Sequence, residues 1–149
     1  MEQPDLDPIL SGVAGQYLVA AQLTRLGMIA TVTLRNTRGV DVLASNASGT
    51  RAVTIQVKTN RSSKRDWMLS NKAETRISRD LFYVFVNLNG HGGTPTFHVV
   101  PSKRVASHIK KRHEAYIAAD SNRRQDSSMR KFRDLSGKYQ NRWELLRLL

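Results

Sequence analysis

The chain has 149 residues, a formal net charge of +12 and no cysteine. This length suits one domain with a substantial core, and the missing cysteine excludes disulfides and thiolate metal sites. No apolar run approaches the roughly 18 residues of a membrane span, and the acidic start MEQPDLDP does not have the order of a signal peptide, so we expect a cytoplasmic protein.

The positive charge is spread unevenly along the chain. Residues 51–80 carry eight Lys or Arg against three acids, and residues 101–149 carry thirteen against five. Lys and Arg that neutralise phosphates release counterions, which favours binding. The charge therefore favours a nucleic acid as partner over a merely solvated basic surface. No basic helix with an aromatic or leucine-rich opposite face occurs, so no membrane partner is expected.

A first helix is predicted over residues 8–26. Asp7 suits its N-cap, Pro8 its first turn and Gly27 its C-terminal cap. Apolar residues recur at the spacing of one buried helical face, namely Leu10, Val13, Ala14, Tyr17, Leu18 and Ala21. We therefore expect this face to pack on the rest of the domain.

Short segments rich in β-branched residues predict three strands after the helix: MIATVTL, GVDVLAS and RAVTIQVKT. NASG, between the second and third, predicts a hairpin. The polar segment NRSSKRDWMLSNKAETRISRD predicts a loop with one short helix near 71–77. The apolar run LFYVFVNL is typical of a central strand buried on both faces. TPTFHVV predicts a further strand, and Pro95 indicates an edge position for it.

Helical spacing returns in the C-terminal third, at Val105, Ala106, Ile109 and Tyr116. It predicts a second long helix over 102–118. Residues 119–131 are interpreted as a basic loop. The final segment YQNRWELLRLL predicts a short amphipathic helix, and we expect Trp143 and Leu146 to pack on the core.

These elements predict one domain over 1–149, with its core at about 8–118 and the basic loop and C-terminal helix at 119–149. The order α-β-β-β-(α)-β-β-α is typical of an α/β fold with a mixed central sheet flanked by helices.

The hairpin register follows from its apolar residues, because both strands must turn one apolar set to the same face. These sets are Val40, Val42 and Ala44, and Val53, Ile55 and Val57. The register that puts both sets on one face pairs Val42 with Ile55, and it also pairs Asp41 with Gln56. A slip of one residue would turn one apolar set away from the core. Asp41, Gln56 and Lys58 are therefore expected in one polar cluster on the opposite face.

The segment RGVDVLAS followed by TIQVKT resembles the PD-(D/E)XK nuclease superfamily, in which an Asp ends one strand and an acid-x-Lys motif lies on the next. GVAGQYLVAAQLTRLG resembles the first helix of Holliday-junction-resolvase-like members, which have a Glu where Gln16 stands. The resemblance covers roughly residues 8–100. It implies a restriction-endonuclease-like fold, in which Gln16 and Gln56 replace two usual acids.

The resemblance also implies a metal-dependent nuclease that hydrolyses phosphodiester bonds in DNA. Asp41 would bind Mg²⁺ (or Mn²⁺) together with the amide oxygen of Gln56 and the carbonyl of Val57. Lys58 would orient or activate the attacking water. Gln16 would complete the catalytic set. Because two positions usually filled by carboxylates are amides, we expect low metal affinity until phosphate binds.

The segment NRSSKRDW directly follows the predicted catalytic strand. It would place Arg61, Lys64 and Arg65 on phosphates and Trp67 on a base or sugar. A hydrophobic anchor is an equally favoured interpretation of Trp67. The histidines show no convincing metal-ligand spacing and are expected to be structural or exposed: His91, His98, His108 and His113.

Two other functions stay open. The first is a catalytically weakened module that binds nucleic acid without cleaving it. The second is a basic RNA- or ribosome-associated domain without an active site. Two sites related by a twofold axis cut both strands of a duplex most simply, so a homodimer is also expected. Its contact would be the apolar C-terminal end around Trp143 and Leu146.

Overall fold

The computed structural model describes residues 6–34, 38–123 and 127–149. Part of the predicted basic loop, residues 124–126, lies outside them. The helices are α1 (Pro8–Arg25) and α2 (Ser102–Ala118), with short 3-10 turns at Asn71–Glu74 and Trp143–Leu146. The strands are β1 (Ile29–Val32), β2 (Val42–Ser45), β3 (Ala52–Asn60), β4 (Asp66–Ser70), β5 (Leu81–Asn87), β6 (Thr96–Pro101) and β7 (Met129–Arg133). Among the described helices, none has the length and apolarity to cross a membrane.

Five strands form a mixed sheet in the order β1-β2-β3-β5-β6. β3 and β5 run parallel, and the other neighbours are antiparallel. Every residue of β5 is buried, as its apolar run predicts, because both faces of this strand are covered. β6 forms one edge of the sheet, which agrees with the preceding Pro95. The fold is therefore the mixed α/β arrangement expected from the sequence.

The hairpin of β2 and β3 has the predicted register. Val42 pairs with Ile55 and Ala44 with Val53. Gly49 closes the turn with a backbone φ of 71°, a conformation that glycine adopts readily. The turn and the shared apolar face select the same pairing, so this local prediction is confirmed.

Two apolar clusters cover opposite faces of the sheet. The first lies against α1 and contains Val19 and Leu23 of the helix with Ile55 of β3. The second contains Val105 and Ile109 of α2 and a set of aromatic residues, namely Trp67, Tyr83, Phe85 and Phe132. Alternate residues of one strand enter different clusters, so Gln56 and Lys58 extend from the face that α2 partly covers.

α1 does not use the predicted face. Its buried residues are Ser11, Gly15, Val19 and Leu23, whereas Ala14 and Leu18 are half-buried. Leu10, Val13 and Tyr17 are exposed. Residues 8–24 contain no charge, so apolar spacing alone does not distinguish one face from another. Small residues decide the contact, because they let the helix approach β3 closely.

The segment predicted as a loop after β3 contains a strand. β4 pairs with β7 in a separate antiparallel sheet of two strands. β7 also replaces the end of the predicted basic loop over 119–131. Each strand has five residues and many charges, and their pairing joins distant parts of the chain, so neither is recognisable from local pattern.

The C-terminal apolar residues pack within the chain. Trp143 is 5% exposed and Leu146 fully buried, and both belong to the cluster beneath α1. Their core role is confirmed, although the segment is a 3-10 turn. The proposed dimer contact through these residues is wrong, because neither presents a surface to a second copy.

Candidate active site

Asp41 lies where β2 separates from β3. Its backbone N–H donates to the Ile55 carbonyl at 2.9 Å, and Ile55 is also the pairing partner of Val42. Two residues thus face one, as in a β-bulge, which re-aims a side chain. The Asp41 carboxylate accepts a hydrogen bond from the Val57 amide at 2.7 Å. Asp41 therefore contacts both neighbours of Gln56 instead of simply facing it.

α1 brings Gln16 to the same carboxylate. The Gln16 Nε2 donates to Asp41 Oδ1 over 3.4 Å. A Cβ on Gly15 would lie 1.9 Å from Thr59 Oγ1, so glycine is required for this close approach of helix and strand. The helix position singled out by the resemblance is thus in contact with Asp41.

Gln56 and Lys58 are half-buried and line a cavity of about 750 Å³ on the other face of β3. Asp41 itself lines a neighbouring cavity with Gln16. Lys58 nevertheless acts electrostatically on Asp41. The prediction of one polar cluster on a single sheet face is therefore wrong. Asp41 lies at the edge of β3 with Gln16 of α1, whereas Gln56 and Lys58 line the cavity on the other face.

Three further cations line the cavity that contains Lys58: Arg38, Lys72 and Arg76. None of the described residues that line it is acidic. We call this cavity the basic groove. Four positive side chains on one concave surface attract a phosphate backbone. Sequence reasoning missed Arg38, Lys72 and Arg76, because only the tertiary structure brings these separate segments of the chain to one cavity.

Arg76 is held against the backbone that precedes Asp41. Gly39 has a φ of 62°, and a Cβ there would lie 1.1 Å from the Arg76 Nη1. The guanidinium therefore occupies the space that any larger residue at position 39 would fill. Its charge reaches both Asp41 and Tyr83. In the sequence, the glycine at position 39 is the one sign that another side chain packs closely against this backbone.

The surroundings of Asp41 disfavour its ionised form. Burial raises the pKa of Asp41 above its ordinary value. The Val57 hydrogen bond and the charges of Lys58 and Arg76 oppose this shift without cancelling it. A carboxylate with a perturbed pKa beside positive side chains and a cavity is typical of a functional site.

The donors around Asp41 match Mg²⁺ in kind but supply little charge. The Val57 carbonyl leaves β3 on the same side as its amide, towards Asp41, because both groups of one strand residue point to the same neighbour. Carboxylate, amide and carbonyl oxygens are the ligands that Mg²⁺ prefers. Among the described residues no group of three His, Asp or Glu could hold a metal. A metal would therefore depend on substrate phosphate for its remaining negative charge.

Trp67 is buried inside the domain. It is 1% exposed, and its Nε1 donates to the Val86 carbonyl at 3.0 Å. Its ring packs against Phe85 and His98. The prediction of a base or sugar contact is wrong, since this side chain anchors β4 to β5.

The three predicted phosphate contacts lie beyond the C-terminal end of β3. Arg61 donates to the Leu6 carbonyl at 2.9 Å, and Arg65 to the Leu135 carbonyl at 2.8 Å. Lys64 is exposed. None of the three lines the basic groove. Their role in phosphate binding stays a prediction.

Two histidines have structural positions, as expected. His98 is fully buried and bonded through Nδ1 to Asp134 Oδ2 at 2.7 Å. Burial lowers the pKa of His98, although the hydrogen bond to Asp134 opposes this. His108 accepts a hydrogen bond from the Arg133 amide.

Two solved nuclease structures are similar to this fold. A bacterial homing endonuclease matches with a TM-score of 0.54 and 15% identity, covering 95% of this chain and 92% of that one. Hjc, a Holliday junction resolvase from the archaeal hyperthermophile Archaeoglobus fulgidus, matches with a TM-score of 0.50 and 12% identity, covering 83% and 84%. No protein-family model and no curated protein matches the sequence. The chain therefore has the restriction-endonuclease-like fold that its sequence predicted.

Proposed function

We propose that this protein is a metal-dependent endonuclease that hydrolyses phosphodiester bonds in DNA. The observation that carries the proposal is the position of Asp41. Its carboxylate is held between Gln16 and the amide of Val57, the residue that precedes Lys58 of the basic groove. The carboxylate lies at the edge of the strand whose Gln56 amide and Lys58 ammonium line the basic groove, where a phosphate backbone would be attracted.

Asp41, the Gln56 amide and the Val57 carbonyl would hold Mg²⁺ or Mn²⁺. When bound, the cation would supply Lewis-acid polarisation of the phosphodiester and a more acidic water. Gln16 acts through Asp41, because its amide fixes one carboxylate oxygen. We therefore assign Gln16 a positioning role within the catalytic set.

Lys58 and Arg76 would act on the substrate. Lys58 orients the attacking water or stabilises negative charge that develops on the phosphate. Arg76 fixes a phosphate oxygen opposite Asp41, and its guanidinium can bind two oxygens at once. Arg38 and Lys72 hold neighbouring phosphates of the same strand. The four positive charges thus favour a polyanion over a single small phosphate.

The decisive test is cleavage of duplex DNA with Mg²⁺, with Mn²⁺ and with a chelator. We expect cleavage only with metal, and a loss of at least about 100-fold in Lys58→Ala, the size typical of a lost transition-state contact. Lys110→Ala removes an exposed charge from α2 and serves as the matched control. No cleavage by the parent with either metal, or equal rates in Lys58→Ala, would contradict the proposal. RNA in the same assay identifies the nucleic acid.

A second candidate function is a module of this fold that binds nucleic acid without cleaving it. The single carboxylate beside two amides favours it, because such a site binds metal weakly. Gln56→Glu distinguishes the two functions. In a nuclease, a second carboxylate at roughly 4 Å adds about 1 kcal/mol or more to metal binding, which is several-fold in affinity.

For the binding module we expect no cleavage by the parent and weaker DNA binding by Gln56→Glu, since the new charge repels phosphate. Metal titration calorimetry and a nicking assay provide both readouts. Gln22→Glu adds the same charge at a distant position, on α1, and is the control. Unchanged metal affinity in Gln56→Glu would show that Gln56 is not at a metal site.

The proposal includes a homodimer on duplex DNA. One copy contributes one Asp41 and one Lys58, which suffice for one strand. Two copies related by a twofold axis would cut both strands. Sedimentation velocity over a concentration series, with and without DNA, tests this. A monomer under all conditions that still cuts both strands together would contradict it.

A further inference from the structure

The two-stranded sheet of β4 and β7 has one buried and one exposed face. We call it the β4–β7 ribbon. Trp67, Leu69, Arg130 and Phe132 form the buried face. On the other face Met68 lies opposite Lys131, and Ser70 lies opposite Met129. Met68 is 54% exposed and Met129 51%. Two large apolar side chains in water next to a cation suggest a surface with a partner.

The ribbon is held rigidly from beneath. Trp67 donates to the Val86 carbonyl, and Phe132 stacks on Phe85 with 4.5 Å between ring centroids. Arg130 bonds to Glu74 in the turn that follows β4. These contacts tie the ribbon to β5 and to the turn that carries Lys72. A partner bound to the exposed face therefore causes little further loss of chain entropy.

The ribbon adjoins the basic groove. Leu69 and Ser70, at the end of β4, line the groove, and Lys72 follows two residues later. A strand whose phosphates lie against Lys58, Lys72 and Arg76 would pass next to the exposed face of the ribbon. A single strand can therefore contact both surfaces at once.

Charge on the exposed face also suits a nucleic acid. Asp66 is the acid on this face, and it is bound by both Arg112 and Arg133. Burial raises the pKa of Asp66, but the hydrogen bonds from the two arginines outweigh it, so the pKa is lowered and the carboxylate stays ionised and paired. Lys131 is exposed beside this neutralised group. The face therefore combines apolar, hydroxyl and cationic groups without an unpaired acid among its strand residues.

We propose that the β4–β7 ribbon enters the major groove of duplex DNA while one strand's phosphates lie in the basic groove. The inference rests on the proposed function and specifies its substrate as a B-form duplex. A two-stranded ribbon fits the roughly 12 Å width of the major groove. Met68 and Met129 suit thymine methyl groups, Lys131 suits guanine O6 and N7, and the Ser70 hydroxyl suits either base edge.

Methylation of guanine N7 by dimethyl sulfate tests this, because N7 is exposed in the major groove. The parent protein saturates a short mixed-sequence duplex in chelator, so that no cleavage occurs. We expect protection of guanines by the parent. Met68→Ala/Lys131→Ala should still bind through the basic groove, with affinity lower by roughly tenfold, and should lose the protection.

Leu149→Ala/Lys110→Ala is the matched control, since it removes an exposed apolar side chain and an exposed cation elsewhere. It should protect N7 like the parent. A parent that binds the duplex without N7 protection would overturn the ribbon proposal alone. Full protection by the ribbon variant would also overturn it and assign this face to another partner, such as a protein. A parent that binds no nucleic acid would overturn the proposed function and the ribbon proposal with it.

Discussion

Asp41 has two requirements that conflict. Catalysis would need its carboxylate ionised, yet burial raises its pKa and makes the ionised form costly in the folded protein. The Val57 amide and the charges of Lys58 and Arg76 only partly offset this cost. Sites that keep a strained or poorly solvated group for function commonly reduce the stability of the fold.

We therefore expect Asp41→Asn to raise stability at neutral pH while abolishing cleavage. The folded protein holds the Asp41 proton more tightly than the unfolded chain, so the contribution of Asp41 to stability is greatest at low pH. It falls as pH rises from the ordinary value of 3.8 through the raised pKa. Asn mimics the protonated group, and its oxygen can still accept the Val57 N–H.

Thermal unfolding of parent and Asp41→Asn across a pH series checks this. The melting temperatures should differ most near neutral pH and converge in acid. A variant that is less stable than the parent at every pH would show that the hydrogen bond, and not burial, dominates at this residue.

At the scale of elements, α1 is placed by its smallest residues. Gly15 meets Thr59 of β3, and the same contact brings Gln16 to Asp41. The same contact therefore determines both how the helix packs on the strand and where Gln16 lies in the site. The position of Gln16 depends on a glycine that has no chemical role.

Gly15→Ala should lower the free energy of unfolding by about 1–2 kcal/mol. Alanine favours a helix by up to about 1 kcal/mol, but overpacking against Thr59 typically costs 1–3 kcal/mol. Gly12→Ala is the matched control, because nothing lies within 4 Å of its added Cβ, and it should be neutral or stabilising. Urea unfolding measures both variants.

The double variant Gly15→Ala/Thr59→Ala removes the clashing hydroxyl and should recover most of the loss. If Gly15→Ala is as stable as Gly12→Ala, the close approach of α1 to β3 does not determine the position of the helix.

For the whole molecule, charge is the dominant property. The chain carries 24 Lys and Arg against 12 Asp and Glu. Three of the four cations of the basic groove come from different segments of the chain: Arg38 precedes β2, Lys58 is on β3, and Arg76 follows the turn after β4. In the proposed function, the net charge would attract nucleic acid from any direction, and the groove would concentrate that attraction beside Asp41.

Lys72→Ala/Arg76→Ala should weaken DNA binding for all sequences alike. Loss of two phosphate contacts should reduce the slope of log affinity against log salt concentration by about 2. Fluorescence anisotropy with duplexes of different sequence, over a salt series, measures both quantities. Lys110→Ala/Arg147→Ala has the same change in net charge but lies outside the groove lining, so it should alter the slope less. Equal slopes in the two double variants would contradict a specific phosphate path through the groove.

The sequence by itself determined the features that depend on neighbouring residues. The caps of α1, the register of β2 with β3 and the doubly buried β5 follow from turn chemistry and apolar alternation, which act over a few residues. The same reasoning singled out Asp41, Gln56 and Lys58, which hairpin geometry relates, whereas Gln16 was singled out by the family resemblance of the first helix.

Only the tertiary structure decided the contacts between distant segments. The buried face of α1, the pairing of β4 with β7, the burial of Trp67 and the meeting of Arg76 with Gly39 each join parts of the chain that have no local relation. Local pattern shows that a residue can be buried or charged. Which partner it meets depends on close packing of the whole chain, where a glycine or a bulge changes the approach by an ångström.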